Sequence, residues 1–342
     1  MLSLFKSVFG RVPKNLEGLD SRQINLAIDQ VVDGTDPRLR VVSGYRKRLR
    51  PAVIKAINTT MELVDGLSSP KELSRKSFSR EDSIRSIFTS PDHISDFLSR
   101  CQVLHNYLKR QTSVALDNIH ALLLVGHKET HMLGMELDEG IIRRDVPQIS
   151  IHFSNPRLIC PAESESTSHQ ETNKQVFDFF IVEALKRLIS ERSQQSKDQH
   201  QYELLVRKLK TLEAANWSFE WLLNQQQEGL VDNYKLKNEI SGLAGQLKES
   251  ATEPVTLEYY LKVISDTLIA ASELLRRTRI RLKMDRMGKK LKEADTGPSV
   301  LDLELDELSA YDGRRLIALP VFIPFTEIPA RPDFFTEASR YL

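Results

Sequence analysis

At 342 residues the chain can bury a substantial core, as one large domain or two of ordinary size. Its composition, 40% apolar and 28% charged, is that of a soluble globular protein, and its 14 glycines are fewer than phosphate-cradling α/β enzymes usually carry. A formal net charge of +1 excludes a molecule that attracts nucleic acid over its whole surface, so any polyanion contact has to be regional. The two cysteines, Cys101 and Cys160, stand far apart and in no CxxC pattern. That excludes a disulfide framework and a four-thiolate zinc site, and it fits a reducing cytosol. No stretch approaches the ~18 apolar residues of a membrane-spanning helix. Lys6 breaks the apolar part of Met1–Arg11, which therefore does not read as a secretory signal.

From the start of the chain, Leu2, Phe5, Val8 and Phe9 share one face of a short amphipathic helix, the pattern of a membrane-interface contact. Ser21–Val32 reads as a helix ended by Asp33-Gly34. Asp36 with Pro37 is the chemistry of a helix start, and the helix that follows runs to about Val64. Gly44 and Pro51 lie inside it, and Pro51 is expected to kink or split it. Ser68–Asp82 reads as a loop, and Ser83–Lys109 and Leu116–Val125 as helices. Met132–Leu137, Ile141–Val146 and Gln148–Phe153 read as strands around a turn at Asp138-Glu139-Gly140, with Pro147 marking an edge or a break. Ala162–Gln170 reads as a polar linker.

Lys174–Ser250 reads as an antiparallel helical hairpin with a polar stretch at Ser190–Gln201 and a turn near Asn224–Gly229. Thr256–Glu293 reads as one long helix. Leu257, Leu261, Ile264, Leu268, Ala271, Leu275 and Leu282 form a heptad seam along it. After Gly297-Pro298 the period falls to two: Leu301, Leu303 and Leu305 alternate with Asp302, Glu304 and Asp306. Asp312-Gly313 predicts a tight hairpin turn, with Leu316–Ile323 as the more buried return strand. The expected fold is mainly α with a minor β part (α+β): long helices, a helical hairpin, and two short β-hairpin regions forming a small sheet. The segments are a helical region 1–130, a β-hairpin region 131–161, a helical part 170–293, a C-terminal β-hairpin 299–329 and a tail 330–342.

Few residues carry a chemical signature. His127 and His131, with His120 before them, would share a helix face and are the candidate metal ligands. Lys128 stands where a zinc protease needs glutamate after its first histidine, and Thr130 breaks the inverted motif, so no metal site and no cofactor are assigned. Gly126-His127-Lys128 and Gly288-Lys289-Lys290 lack the upstream glycine of a phosphate loop. No catalytic residue can be named, since active sites assembled from distant residues leave no linear motif.

Two basic tracts remain. The first holds Arg38, Arg40, Arg46, Lys47, Arg48 and Arg50. The second holds Arg276, Arg277, Arg279, Arg281, Lys283, Arg286, Lys289, Lys290 and Lys292, with Asp285 as the single acid among them. Such clusters attract anionic lipid or nucleic-acid phosphates. The scarcity of interleaved aromatics, Tyr45 alone in the first tract, favours a membrane or acidic protein surface. Part of the second tract's charge is expected to face the acids of Asp302–Asp312 within the same molecule. Trp217 and Trp221, four apart with Phe219 between, are candidate partner contacts.

The pattern points to a non-enzymatic, cytoplasmic scaffold or adaptor. It would bind a protein partner or itself through helices, with a peripheral position on the cytoplasmic face of a membrane. Nucleic-acid binding through the basic tracts and an enzyme without a linear motif, metal-dependent at the histidines, are the alternatives.

Overall fold

The computed structural model describes residues 21–110, 117–138, 141–193, 205–207, 254–292, 295, 297 and 300–329. The N-terminal amphipathic segment, the tryptophans, the second half of the expected helical hairpin and the tail lie outside them. The chain forms two compact units: Met1–Asp65 with Gln170–Leu275, and Gly66–His169 with Arg276–Leu342.

In the first unit, α1 (Ser21–Gly34) buries Ile24, Ala27, Ile28 and Val31, the spacing of one helix face. Asp36 caps a 3-10 turn at Pro37–Val41 by accepting from the Arg38 amide. Gly44, at φ +67°, then separates that turn from α2 (Tyr45–Asp65), so the expected single helix is two elements. Pro51 does not split α2: it stands on the exposed side, where water can satisfy the carbonyl it leaves unpaired. Helix α6 (Glu165–Ser193) begins inside the expected linker and buries Phe177, Phe179, Phe180, Leu185 and Leu188. A Cβ on Gly34 would come within 2.4 Å of Ile181, so the end of α1 closes tightly on α6. Helix α7 (Pro254–Ile269) packs along α2 and buries Leu257, Leu261, Ile264 and Leu268. The first half of the expected seam is therefore the buried face of one helix within its unit, and no coiled coil is shown among the described residues.

Its second half is not a helix. After the short α8 (Ala271–Leu274) the chain becomes strand β4 (Leu275–Met284). Thr278, Ile280, Leu282 and Met284 alternate with Arg277, Arg279, Arg281 and Lys283, so an extended strand puts these four cations on one face and leaves only Arg276 on the other. A helix would scatter those cations around its girth.

The second unit overturns the expectation of a mainly helical protein with a small sheet. Strands make up about 31% of the described residues, in one curled six-stranded sheet. Its order is β3-β2-β6-β5-β4, with β2 at Asn118–Asp138, β3 at Ile141–Ala162, β5 at Leu301–Ala310 and β6 at Arg315–Pro324. These neighbours run antiparallel where their register is defined, and the two-residue β1 (Lys71–Glu72) pairs parallel with β6 beyond the reach of β5. Within Leu116–Val125, expected to be helical, residues from Asn118 on are the start of β2: Leu122, Leu123, Leu124 and Val125 are all buried, so both faces of this strand are covered. The expected hairpin at Asp312-Gly313 is present, with Gly313 at φ +84°.

One short segment links the two ends of the sheet. Met284 turns at Asp285–Gly288, and Leu291 returns its amide to the Lys283 carbonyl at 2.8 Å. On its other side the Ile151 amide donates to the Gly288 carbonyl at 2.7 Å, and the Lys290 amide to the Ile149 carbonyl at 2.8 Å. Gly288–Leu291 is thus a strap from β4 to β3, and backbone hydrogen bonds run all the way round the curl. Inside lie Leu123, Val125, Leu282, Met284, Leu303, Leu305, Ile317 and Leu319. Helices α3 (Asp82–Ile87), α4 (Pro91–Arg100) and α5 (Gln102–Arg110) replace the single expected helix and add Ile84, Phe88, Ile94, Leu98 and Leu104 to the same core.

Candidate functional site

The candidate metal histidines do not converge. His127 and His131 sit on strand β2 rather than a helix, and four residues at ~3.3 Å each set them ~13 Å apart along it. His120 belongs to the opposite face of the same strand. Among the described residues no group of three His, Cys, Asp or Glu could hold a metal ion.

His127 has another role. Its Nδ1 lies within hydrogen-bond distance of the Glu307 carboxylate, and both side chains are buried. A carboxylate only accepts, so Nδ1 carries the proton and donates it to Glu307. Nε2 is buried and has no hydrogen-bond partner among the described residues. Phe153 lies against the ring at 5.7 Å. The pair ties β2 to β5 across the start of β6, where Arg315 approaches Glu307 at 4.0 Å. Next to it Lys290, on the strap, pairs with Glu129 at 3.0 Å and holds that carboxyl below its usual range. A polar layer therefore closes this end of the core. Sequence reasoning missed the pair because its members lie 180 positions apart.

The first basic tract is largely neutralised within its own unit. The Arg38 guanidinium, itself buried, meets Asp36 at 2.9 Å. Arg40 pairs with Asp33, and Arg46 with Asp29 at 2.9 Å, and those hydrogen bonds hold both guanidiniums more firmly charged. Arg48 approaches Glu258 at 3.9 Å, Arg50 donates to Ser21, and Lys47 is exposed.

In the second tract, the cations of β4 face the acids of β5 in a cross-strand ladder. Arg281 meets Asp302 at 2.8 Å, and Arg277 and Arg279 reach Asp306 at 3.0 Å and 3.5 Å. Asp306 is buried and also accepts from the Ser68 amide at 2.7 Å. Lys283 donates to the Asp295 carbonyl. Arg276, Arg286 and Lys289 form no ion pair among the described residues.

A different surface stands out. Strand β2 pairs with β6 only as far as Gly126, and with β3 as far as Asp138. Beyond the strap contacts at Ile149–Ile151, the two strands continue as a two-stranded arm. Its register is pinned by Gln148, whose side chain passes over Gly134 and donates to the Met135 carbonyl at 3.0 Å; a Cβ on Gly134 would fall 2.2 Å from that side chain. Asp145, at φ 59°, sits in a bulge opposite. The arm exposes large apolar side chains: Met132 50%, Leu133 65% and Met135 68%. They stand beside a shallow groove that Pro147 and Ile149 complete, and Met287 on the strap turn is 90% exposed. The alternation of this segment predicts its strands, and the missing signal is that no third strand among the described residues covers it.

Comparison of the chain with family models, curated proteins and solved structures returned no match.

Proposed function

We propose that this protein is a non-enzymatic scaffold or adaptor of the cytoplasm, and that its working surface is the β2–β3 arm. The carrying observation is the exposure of Met132, Leu133 and Met135 on a two-stranded ribbon with no covering layer among the described residues. A two-stranded hairpin is marginal in water, and clustered exposed apolar side chains mark contact surfaces. Methionine suits such a surface because its flexible thioether adapts to different partners. The arm replaces the heptad seam as the preferred contact, since the seam of α7 is buried against α2.

Binding to an anionic membrane or to nucleic acid draws less support, because Arg38, Arg40, Arg46 and Arg48 of the first tract and Arg277, Arg279, Arg281 and Lys290 of the second already have acidic partners. Arg276, Arg286 and Lys289 keep a weak membrane-surface reading alive. Among the described residues no helix is long and apolar enough to cross a membrane.

The test is site-specific photo-crosslinking in cells, with a photoreactive residue at Leu133 or Met135 and a control at Lys55 on the exposed side of α2. The expected result is a discrete adduct from the arm positions and none from the control. Arm positions that crosslink no more than Lys55 would remove the basis for the reading.

A further inference from the structure

We propose that the arm pairs with the arm of a second copy of this chain, β2 edge to β2 edge, about a two-fold axis near Met132 and Leu133. The inference rests on the contact role proposed above and names its occupant.

Backbone direction shows which edge of the arm has no strand on it among the described residues. The Ile149 carbonyl and the Ile151 amide both bond to the strap, so they point away from β2. Their register partners, His131 and Glu129, must then point their own amides and carbonyls to the opposite edge, as does Leu133 two residues on. That edge has lost β6 after Gly126 and carries no proline from His127 to Asp138. It is a ready template for another strand.

The other edge of the arm is closed to addition. Pro147 is two residues from Ile149, so its ring nitrogen faces outward, where it supplies no donor. Edge-to-edge pairing of two arms makes a four-stranded sheet, β3-β2-β2-β3, with a proline on each outer strand. The assembly therefore stops at two copies, whereas an unprotected β3 edge would let it grow. Four strands also cure the weakness of the isolated ribbon.

The sequence of β2 is self-complementary in this arrangement. Lys128 lies at the base of the arm, while positions 136 and 138 toward its tip are glutamate and aspartate. Antiparallel pairing sets the basic end of one strand beside the acidic end of the other. Met132 and Leu133 fall at the centre and cover their symmetry mates. A net charge of +1 leaves two copies without long-range repulsion.

Sedimentation velocity on the full chain over about 1–100 μM tests this, a range that brackets micromolar affinity. The expected result is conversion from one copy to two, with nothing larger. Leu133→Pro removes one outward amide and leaves the β2–β3 ladder its own bonds, so the dimer should weaken at least about tenfold. Leu133→Lys keeps the backbone and brings like charges together at the axis, with the same expected loss. Pro147→Val restores a donor to the β3 edge and should produce species larger than two copies. A chain that stays single at about 100 μM, or a Leu133→Lys variant that pairs like the wild type, overturns the inference. If the chain is single while the arm crosslinks to a different protein, self-pairing fails and the contact role stands. If the arm yields no adduct, both fail.

Discussion

Replacing Gly288 with alanine tests whether the strap closes the sheet. Gly288 has φ +84°, and a Cβ there would sit 2.7 Å from the Ile151 carbonyl oxygen, a backbone atom that cannot swing aside. The left-handed conformation alone costs an alanine about 1–2 kcal/mol. Moving the Ile151 carbonyl also disturbs the bond from the Ile151 amide to the Gly288 carbonyl at 2.7 Å, worth about 1 kcal/mol. The sum, about 2–3 kcal/mol, lowers the midpoint of the sheet unit by about 4–12 °C, at ~2–4 °C per kcal/mol for a unit of this size. Gly313 is the control. It has the same φ of +84° but open space around its Cβ, so Gly313→Ala carries the conformational cost alone, about 2–8 °C and always less than Gly288→Ala. Thermal melts by circular dichroism give the two midpoints, and hydrogen exchange at the Ile151 amide reports the strap itself. Equal midpoint shifts, or an Ile151 amide that stays equally protected in Gly288→Ala, would show that the strap does not hold β3.

Arg277→Ala removes the nearest cation from the buried Asp306 carboxylate, which keeps Arg279 and the Ser68 amide, and should cost about 1.5–3 kcal/mol by urea unfolding, whereas Arg281→Ala, on the exposed Asp302 pair, should leave the midpoint almost unchanged. Burial pushes the Asp178 carboxyl in the first unit up to about 6, against the bonds and charges from Gln30 and Lys174. A folded value raised above the unfolded one means that the folded state holds the extra proton between about pH 4 and 6, so this group lowers stability as pH rises through that window. Asp178→Asn should flatten that slope and raise stability at pH 7, by the order of 2 kcal/mol in chemical unfolding. Burial also pushes the Cys101 thiol up to about 11, and Cys160 is buried. Both thiols should therefore resist maleimide at pH 7 until the protein is unfolded.

Local chemistry was legible wherever one period dominated. The alternation at Leu301–Leu305 and the Asp312-Gly313 turn place β5 and β6, and Asp36 with Pro37 places the start of a turn. The acids of β5 do face the second basic tract. The errors have two physical sources. Residues Arg277–Met284 satisfy a period of two, but Leu275 and Leu282 continue the seven-residue spacing of α7, and two residues cannot decide between the periods. Continuous apolar stretches such as Leu122–Val125 carry no period, because a strand covered on both faces has no polar side. What the sequence could not show was tertiary. His127 finds Glu307, the strap finds β3, and the arm finds no cover among the described residues.

The most direct measurement is hydrogen exchange at the His131 and Leu133 amides of the full-length protein, followed from dilute to concentrated solution. The account predicts rapid exchange in dilute protein, since these amides point to an uncovered edge, and protection that grows as the chain associates. Protection already complete in dilute protein would mean that the chain covers its own arm, and rapid exchange at every concentration would mean that the edge receives no second copy; either result contradicts the account.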